Sequence, residues 1–329
     1  MTGQLNHILK ETSRAFYLSL AILPEYSRRP LSLGYLLARA ADTVADSETT
    51  DEAGRQLTLR AMQSALLNPA QAGEVELVAY VPEHEGEQRL LRSVPALFQE
   101  LQQCPESERH SIVGVVHTLI EGMLWDQHLF ADPGDPREEG LSEEELERYT
   151  YLVAGCVGPF WSQVCAGPDP RTAGLLSPNW TDTAVEFGKA LQWVNILRDI
   201  PRDQSQGRYY LPKLERGDFA PAFSRGCRRA LRAFSSALNY PVQYPAVRLR
   251  DRMATFLPLV LGLRTLCKLW QDGGPRQGHR VKVTRTEVLT WMALSPFLTF
   301  FDAGYHLVTA RLYQSAVGAL ETWEKCNLR

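Results

Sequence analysis

The chain has 329 residues, of which 44% are hydrophobic and 22% are charged, and its formal net charge is −3. This composition is typical of a soluble globular protein, and the length allows one large domain or two of ordinary size. Because the charge is nearly balanced, the chain lacks the basic surface that binds nucleic acid, and we exclude nucleic acid as a partner.

Helical periodicity runs through the sequence, without the alternating pattern of strands or the Asn-Gly and Asp-Gly turns of hairpins. Prolines and glycines divide the pattern into segments, and no linker separates two domains. We therefore expect an all-α fold in a single domain, residues 1–329, in which facing helices project side chains into a central cavity. The predicted helices cover residues 3–24, 31–47, 51–67, 88–103, 107–130, 142–166, 181–202, 223–238, 245–271 and 285–325, the last broken near Pro296.

One predicted helix, residues 31–47, carries the aspartates Asp42 and Asp46 after an almost wholly apolar stretch. Such a stretch indicates a buried helix. Its one charge, Arg39, lies three residues before Asp42 on the same face. Acidic pairs with this spacing also occur on solvated helix faces, but in a buried setting two carboxylates one turn apart repel each other unless a cation lies near them.

A later helix repeats this spacing with Asp199 and Asp203, again after an apolar run. Hard divalent ions such as Mg²⁺ take oxygen ligands and commonly bridge carboxylates to substrate phosphates. Two such pairs therefore predict a site on two facing helices that holds a diphosphate through Mg²⁺, with Mn²⁺ as the alternative ion.

A polar stripe precedes the second pair, formed by Gln192, Asn195 and Asp199 at helical spacing. Gly188 lies one turn earlier on the same face and would let another group approach closely. Buried polar groups need partners. The stripe is therefore predicted to be a wall that faces a ligand, and Asn195 can add an amide oxygen to the metal site.

The six cysteines are scattered without a C-x-x-C spacing, which argues against zinc or disulfides and favours reduced thiols in the cytosol. No signal peptide is recognised, so we expect a cytoplasmic protein. No stretch reaches the roughly 18 uninterrupted apolar residues of a membrane-spanning helix. The two most apolar segments, Met253–Trp270 and Val288–Phe301, are predicted to be core helices, although either could touch a bilayer surface.

Five segments resemble the squalene/phytoene synthase family, the head-to-head isoprenyl diphosphate synthases. Their order matches the family, and together they span nearly the whole chain. The segments are SRAF at 13–16, YLLARAADTVAD at 35–46, YTYLVAGCVG at 149–158, LQWVNILRD at 191–199 and GRYYLP at 207–212.

The resemblance is greatest to bacterial squalene synthases and implies a Mg²⁺-dependent condensation of two farnesyl diphosphates. The expected course leads through presqualene diphosphate to squalene, with NADPH as the reductant. Family members without the reductive step stop at presqualene diphosphate or form dehydrosqualene or phytoene, and these alternatives stay open. A non-catalytic scaffold relative would not need the aspartates. The water-insoluble product suggests a peripheral membrane contact, and we expect a monomer or weak dimer.

The resemblance also implies roles for single residues. The catalytic residues would be Tyr149, which is thought to exchange a proton with diphosphate, and Arg39, Asp42 and Asp199. The metal ligands would be Asp42, Asp46, Asn195, Asp199 and Asp203. The substrate-binding residues would be Ser13, Arg14, Tyr35, Gln192, Arg198 and Arg208. Lys282 and Arg285 would lie near NADPH, and the small residues at Val153–Gly155 would leave room for substrate.

Pro201 departs from this pattern because it lies between Asp199 and Asp203. Proline removes a helix donor and clashes with the preceding turn. We therefore expect the helix to kink or end there, which would re-aim Asp203.

Overall fold

A computed structural model describes residues 3–13, 16–47, 49–75, 77, 80, 82–130, 139–167, 169–212 and 219–328. Within these residues every regular element is helical, and an isolated bridge between Arg276 and His279 is the one β feature. The predicted all-α class is confirmed. The chain divides into two compact units, one within residues 1–131 and 163–167 and the other within 132–162 and 168–329. The single-domain organisation stays a prediction.

The first unit is built around one long buried helix. Its helices are α1 (Gly3–Thr12), α2 (Phe16–Ile22), α3 (Glu25–Ala45), α4 (Glu52–Leu67), α5 (Glu85–Arg92), α6 (Val94–Gln102) and α7 (Glu106–Leu129). The helix α3 packs against α4, α6 and α7, with all its leucines and all its alanines except Ala38 buried between residues 31 and 45. This burial confirms the apolar stretch before Asp42 as a core helix.

Several predicted helix bounds in this unit were wrong. The segment 3–24 contains two helices, and 88–103 is divided at Ser93 between α5 and α6. The helix α3 begins at Glu25, before the predicted start at residue 31, and contains Pro30. Pro30 lies only one turn and a half inside the helix and is buried, so packing holds the helix despite the missing donor.

The second unit contains the helices that carry the later motifs. They are α8 (Glu143–Thr150), a π-helical turn (Tyr151–Gly155), α9 (Val157–Ala166, whose last four residues are counted in the first unit), α10 (Pro178–Ser205), α11 (Phe219–Ala237), α12 (Leu249–Gln271), α13 (Arg285–Phe300) and α14 (Asp302–Asn327). The helix α10 packs against α11, α12 and the π-helical turn, and α12 packs against α13 and α14.

The predicted break near Pro296 was also wrong. The helix α13 continues to Phe300, and the chain turns at Phe301, whose φ and ψ are −103° and 115°. Proline at position 296 leaves the carbonyl of Met292 without its usual backbone donor. The Ser295 hydroxyl donates to that carbonyl over 2.8 Å, which compensates for the lost bond.

Two chemical expectations can be compared with the structure. All six cysteines are free thiols, in agreement with the expected reduced state, and all but Cys326 are buried. Burial raises the pKa of the Cys156 thiol to about 12. By length and composition one helix in the described part of the chain, Ala246–Gln271, could cross a membrane, but 72% of its most apolar window is buried inside the protein. Since buried core helices pass the same test, this is weak support for a span.

Candidate functional site

The first aspartate pair lies at the C-terminal end of α3. Asp42 is in the last turn, and Asp46 is the residue that caps the helix, with its N–H donating to the Asp42 carbonyl over 2.9 Å. The C-terminal end of a helix carries partial negative charge. Two carboxylates at this end add to that charge, so the position favours a bound cation.

Arg39 lies beside this pair. Its Nη1 donates to the Asp42 carboxylate, and its Nη2 donates to Oε1 of Glu87 over 2.6 Å. Burial alone would lower the pKa of Arg39, but Asp42, Tyr35 and Glu87 outweigh burial and raise it. Its Nε is buried and has no hydrogen-bond partner in the described part of the chain. Arg39 is therefore a permanent cation with one donor to spare.

The predicted substrate contacts near the N-terminus are engaged with the backbone. The Tyr35 hydroxyl donates to the Thr12 carbonyl over 3.0 Å, and its ring lies 5.3 Å from that of Phe16. The buried Ser13 hydroxyl donates to the Leu9 carbonyl. The structure thus brings Ser13, Tyr35 and α3 together in one unit, whereas Arg14 lies outside the described residues.

The second aspartate pair lies on the last two turns of α10. The helix continues through Pro201 to Ser205, so of the two predicted outcomes, a kink or an end, the end was wrong. Asp199 and Asp203 therefore keep their one-turn spacing. The Asp203 carbonyl accepts the N–H of Arg208 over 2.9 Å, in a turn that needs the positive φ of Gly207.

Asp199 is held by two arginines at once. Its Oδ1 accepts from Nε of Arg198 (2.8 Å) and Nε of Arg280 (3.0 Å), and its Oδ2 accepts from their Nη2 atoms at 2.5 and 2.7 Å. A carboxylate has about four acceptor positions, so these bonds occupy its full capacity. Burial alone would raise the pKa of Asp199, but the bonds from both arginines prevail and lower it.

Asp199 and its two arginines, Arg198 and Arg280, form a clamp. A chain of hydrogen bonds extends from this clamp to the predicted catalytic tyrosine. Nη2 of Arg198 donates to Oδ1 of Asn195 (2.9 Å), and Nδ2 of Asn195 donates to Oε1 of Gln192 (3.3 Å). Nε2 of Gln192 donates to the Tyr149 hydroxyl at 3.5 Å. The predicted polar stripe is thus one connected network with Tyr149 at one end and Asp199 at the other.

Tyr149 is buried and its ring stacks on Tyr210, with centroids 4.7 Å apart and planes 25° apart. Neither Tyr210 nor Arg280 was predicted as a site residue. The GRYYLP segment contained Tyr210 and was a signal that could have identified it. Nothing around Arg280 in the sequence indicated its contact with Asp199.

The small residues of the site serve helix packing. A Cβ at Gly188 would lie 2.3 Å from the Ala154 carbonyl oxygen, and one at Gly158 would lie 1.9 Å from the Ala184 carbonyl oxygen. The group that approaches Gly188 closely is thus the Ala154 carbonyl and not a ligand, and the room for substrate at Val153–Gly155 stays a prediction. These residues let the π-helical turn and α9 contact α10 closely, which sets the distance between Tyr149 and Gln192.

The remaining predicted residues of the second unit are partly or fully exposed. Lys282 and Arg285 are exposed, and Arg208 is half-buried. Among the described residues no three His, Cys, Asp or Glu side chains are grouped closely enough to hold a metal ion. The prediction that the two aspartate pairs face each other involves both units and stays a prediction. A cavity of about 410 Å³ between the ends of α12 and α14 contains none of the predicted site residues.

Known proteins with similar sequences are synthases of two kinds. The squalene/phytoene synthase family profile matches residues 9–287. The bifunctional lycopene cyclase/phytoene synthase of Blakeslea trispora is 30% identical over 212 residues, 63% of this chain and 32% of that protein. The squalene synthase of Bos taurus is 28% identical, with 62% and 45% covered. The 15-cis-phytoene synthase of Pantoea ananas is 29% identical, with 63% and 59% covered. The chain thus matches about a third to three fifths of each relative.

Solved structures share the fold over nearly the whole chain. TcSQS in complex with the ligand E5700 has a TM-score of 0.70 at 18% identity and covers 97% of this chain and 98% of its own. A dehydrosqualene synthase in complex with a ligand has a TM-score of 0.59 at 20% identity and covers 90% and 96%. At these identities the likeness shows the fold alone, which is the all-α isoprenoid synthase fold.

Proposed function

Because the chain belongs to the squalene/phytoene synthase family, a prenyltransferase family of head-to-head synthases, we propose that it condenses two isoprenyl diphosphates head to head. The observation that carries this proposal is the polar network along α10. It joins a buried tyrosine hydroxyl to a carboxylate that two guanidinium groups hold. A diphosphate is an anion, so its binding requires cations, and the proposed reaction also requires a proton acceptor beside it.

The donor set fits a hard divalent ion. Asp42 and Asp46 in the first unit, and Asp199, Asp203 and Asn195 in the second, offer oxygen atoms, which Mg²⁺ and Mn²⁺ prefer over softer donors. Both pairs lie at helix C-termini, where a cation offsets the combined charge of carboxylates and helix dipole. A bound Mg²⁺ would supply the positive charge that stabilises the leaving diphosphate.

The arginines would bind the diphosphate directly. Arg198 and Arg280 place two positive charges on one carboxylate, so their cluster keeps a net positive charge. Guanidinium groups bind phosphate oxygens in a bidentate manner. On diphosphate binding, we expect at least one of them to exchange Asp199 for phosphate, which would free lone pairs of Asp199 for the ion. The unused Nε of Arg39 is a further donor to phosphate.

Tyr149 is the proposed proton carrier. Its stacking on Tyr210 fixes the ring, and the contact with Gln192 orients the hydroxyl towards the network. Because the hydroxyl is buried, water competes little for its proton, which favours transfer to or from a diphosphate oxygen bound beside the stripe.

For the substrate and product we propose two farnesyl diphosphates and squalene, with NADPH as the reductant. The sequence resemblance to squalene synthases supports this choice. Lys282, two residues after the clamp residue Arg280, and Arg285 are exposed cations suited to the phosphates of NADPH. The similar proteins include phytoene synthases, so presqualene diphosphate, dehydrosqualene or phytoene is the alternative product. The proposal includes a cytoplasmic monomer or weak dimer in peripheral contact with a membrane.

The test is an incubation with farnesyl diphosphate and Mg²⁺, with and without NADPH, followed by mass analysis of the extracted lipid. We expect squalene only when NADPH is present, and no product from Asp42→Asn. Presqualene diphosphate or dehydrosqualene under both conditions would retain the condensation and remove the reduction. If no product forms from C15 or C20 substrates, or if Asp42→Asn turns over normally, the proposed function is wrong.

A further inference from the structure

The exposed face of α13 carries large apolar side chains, although the helix already packs Trp291 and Leu298 on the core. The two fully buried residues of this helix are Ser295 and Thr299, and their hydroxyls donate to helix carbonyls. The outward positions form a stripe with helical spacing along α13 that continues through the turn at Phe301 into the start of α14. The exposed large residues of this stripe are Leu289, Leu294, Phe297, Phe300, Phe301 and Leu307.

An ordinary surface helix turns its apolar side to the core and its polar side to water. In α13 the side chains of Trp291 and Leu298 pack on the core, and the outward side is apolar as well. Six of the fourteen exposed large hydrophobic side chains described in the chain lie in this one segment. Phe297 is 72% exposed and Phe301 is 61% exposed. The stripe from Leu289 to Phe300 is about 17 Å long at the rise of an α-helix. Clustered exposure of this kind marks an interaction surface.

The charges around the stripe indicate its partner. No charged residue occurs between Val288 and Phe301. The carboxylates at the two ends of this stretch are both paired, Asp302 with Arg252 at 2.6 Å and Glu287 with Arg264 and Lys268. Arg250 is exposed near this end of the unit, and Arg311 is exposed one turn after Leu307. Two cations share the carboxylate of Glu287, and Arg311 adds a further positive charge, so the charge around the neutral apolar strip is positive.

A second copy of the chain is a poorer partner than a lipid surface. In a twofold contact each stripe would meet another stripe without acidic groups, and the flanking arginines would gain no carboxylate from the facing copy. A lipid surface supplies both acyl chains for the phenylalanines and anionic phosphates for the arginines.

We propose that α13 and the start of α14 form a membrane-docking surface that lies in the interface of a bilayer containing anionic lipid. The apolar stripe enters the boundary between headgroups and acyl chains, and Arg250 and Arg311 lie at the level of the phosphates. The docking holds the protein on one face of the membrane and does not require a helix that crosses it. It goes beyond the proposed reaction and does not depend on it.

The experiment is flotation of the full chain with vesicles of phosphatidylcholine alone and of phosphatidylcholine mixed with phosphatidylglycerol. We expect binding to the mixed vesicles that weakens with salt. The double substitution Phe297→Asp and Phe301→Asp should reduce binding about tenfold or more. The matched control is Leu57→Asp, which changes a side chain of equal exposure (71%) in the first unit and should bind as the wild type does.

Arg311→Gln serves as the second variant, because it leaves the apolar stripe intact. It should weaken binding to the mixed vesicles about fivefold and leave binding to phosphatidylcholine unchanged. The proposal is overturned if the wild-type protein does not float, or if the double variant floats as well as the wild type. It is also overturned if the double substitution converts a lipid-free dimer to a monomer without changing flotation, since a second copy would then be the partner.

Discussion

Replacing Arg280 should move two binding affinities in opposite directions. In the structure Arg280 occupies both oxygens of Asp199, which is a proposed metal ligand. In Arg280→Ala the carboxylate loses a competitor and a nearby positive charge, so it should bind a divalent ion more tightly. The same variant loses a proposed contact to phosphate, so it should bind diphosphate more weakly.

The magnitudes can be worked out from the geometry. The Arg280 side chain is 39% exposed, so water screens its ion pair with Asp199 and we assign the pair about 1 kcal/mol. Its loss should raise Mn²⁺ affinity about fivefold. A charge-assisted contact to phosphate contributes about 1.5 to 3 kcal/mol, so pyrophosphate affinity should fall about tenfold to a hundredfold.

The assay is calorimetric titration of the full chain, first with Mn²⁺ alone and then with pyrophosphate in excess Mg²⁺. Arg276→Ala is the matched control. Arg276 is an exposed arginine in the same loop, and this arginine has no ion pair within the described residues. It should change neither affinity by more than about twofold. If both affinities of Arg280→Ala fall together, or if the control behaves as Arg280→Ala does, Arg280 does not act by exchanging Asp199 for phosphate.

Three further predictions concern packing, catalysis and pH. Gly188→Ala should lower the free energy of unfolding by about 1–3 kcal/mol in thermal denaturation despite the better helix propensity of alanine, because its Cβ would overlap the Ala154 carbonyl; an unchanged melting temperature would contradict this. Tyr149→Phe keeps the stacking on Tyr210 but loses the proton, so kcat should fall about 100-fold or more while the melting temperature stays within about 2 °C; full activity would remove Tyr149 from the mechanism. Burial alone would raise the pKa of Glu287, but Lys268 and Arg264 outweigh burial and lower it, so Glu287→Gln should cost about 1 kcal/mol at neutral pH. The difference should shrink as pH falls below the ordinary glutamate pKa and vanish below the lowered pKa of the folded state; a pH-independent difference measured by urea unfolding would refute this.

The sequence predicted those parts of the site that depend on one helix. Gln192, Asn195 and Asp199 were assigned to one face because their spacing is a local property, and the structure connects them. Arg280 could not be found in this way. It is 81 residues from Asp199, and the bond between them depends on tertiary packing that no local pattern encodes.

The errors have a common physical cause. Pro30, Pro201 and Pro296 all lie inside helices that were expected to start, kink or break there. Each proline removes one backbone donor. Burial offsets that loss at Pro30 and the Ser295 hydroxyl offsets it at Pro296, whereas the helix continues through the half-buried Pro201 without either. Gly188 was correctly recognised as a point of close approach, although the approaching group is a backbone carbonyl and not a ligand.

The π-helical turn Tyr151–Gly155 comes directly after the helix that carries Tyr149. A π-turn holds one more residue than the α-helical turn it replaces, so it rotates the helix before it by about 100° relative to the helix after it. The orientation of Tyr149, the proposed proton carrier, is thereby set independently of α9, whose Gly158 must face α10. Deleting a single residue here would leave every side chain of the site in the protein and turn Tyr149 away from Gln192. In this region the number of residues, as much as their identity, determines whether the site is assembled.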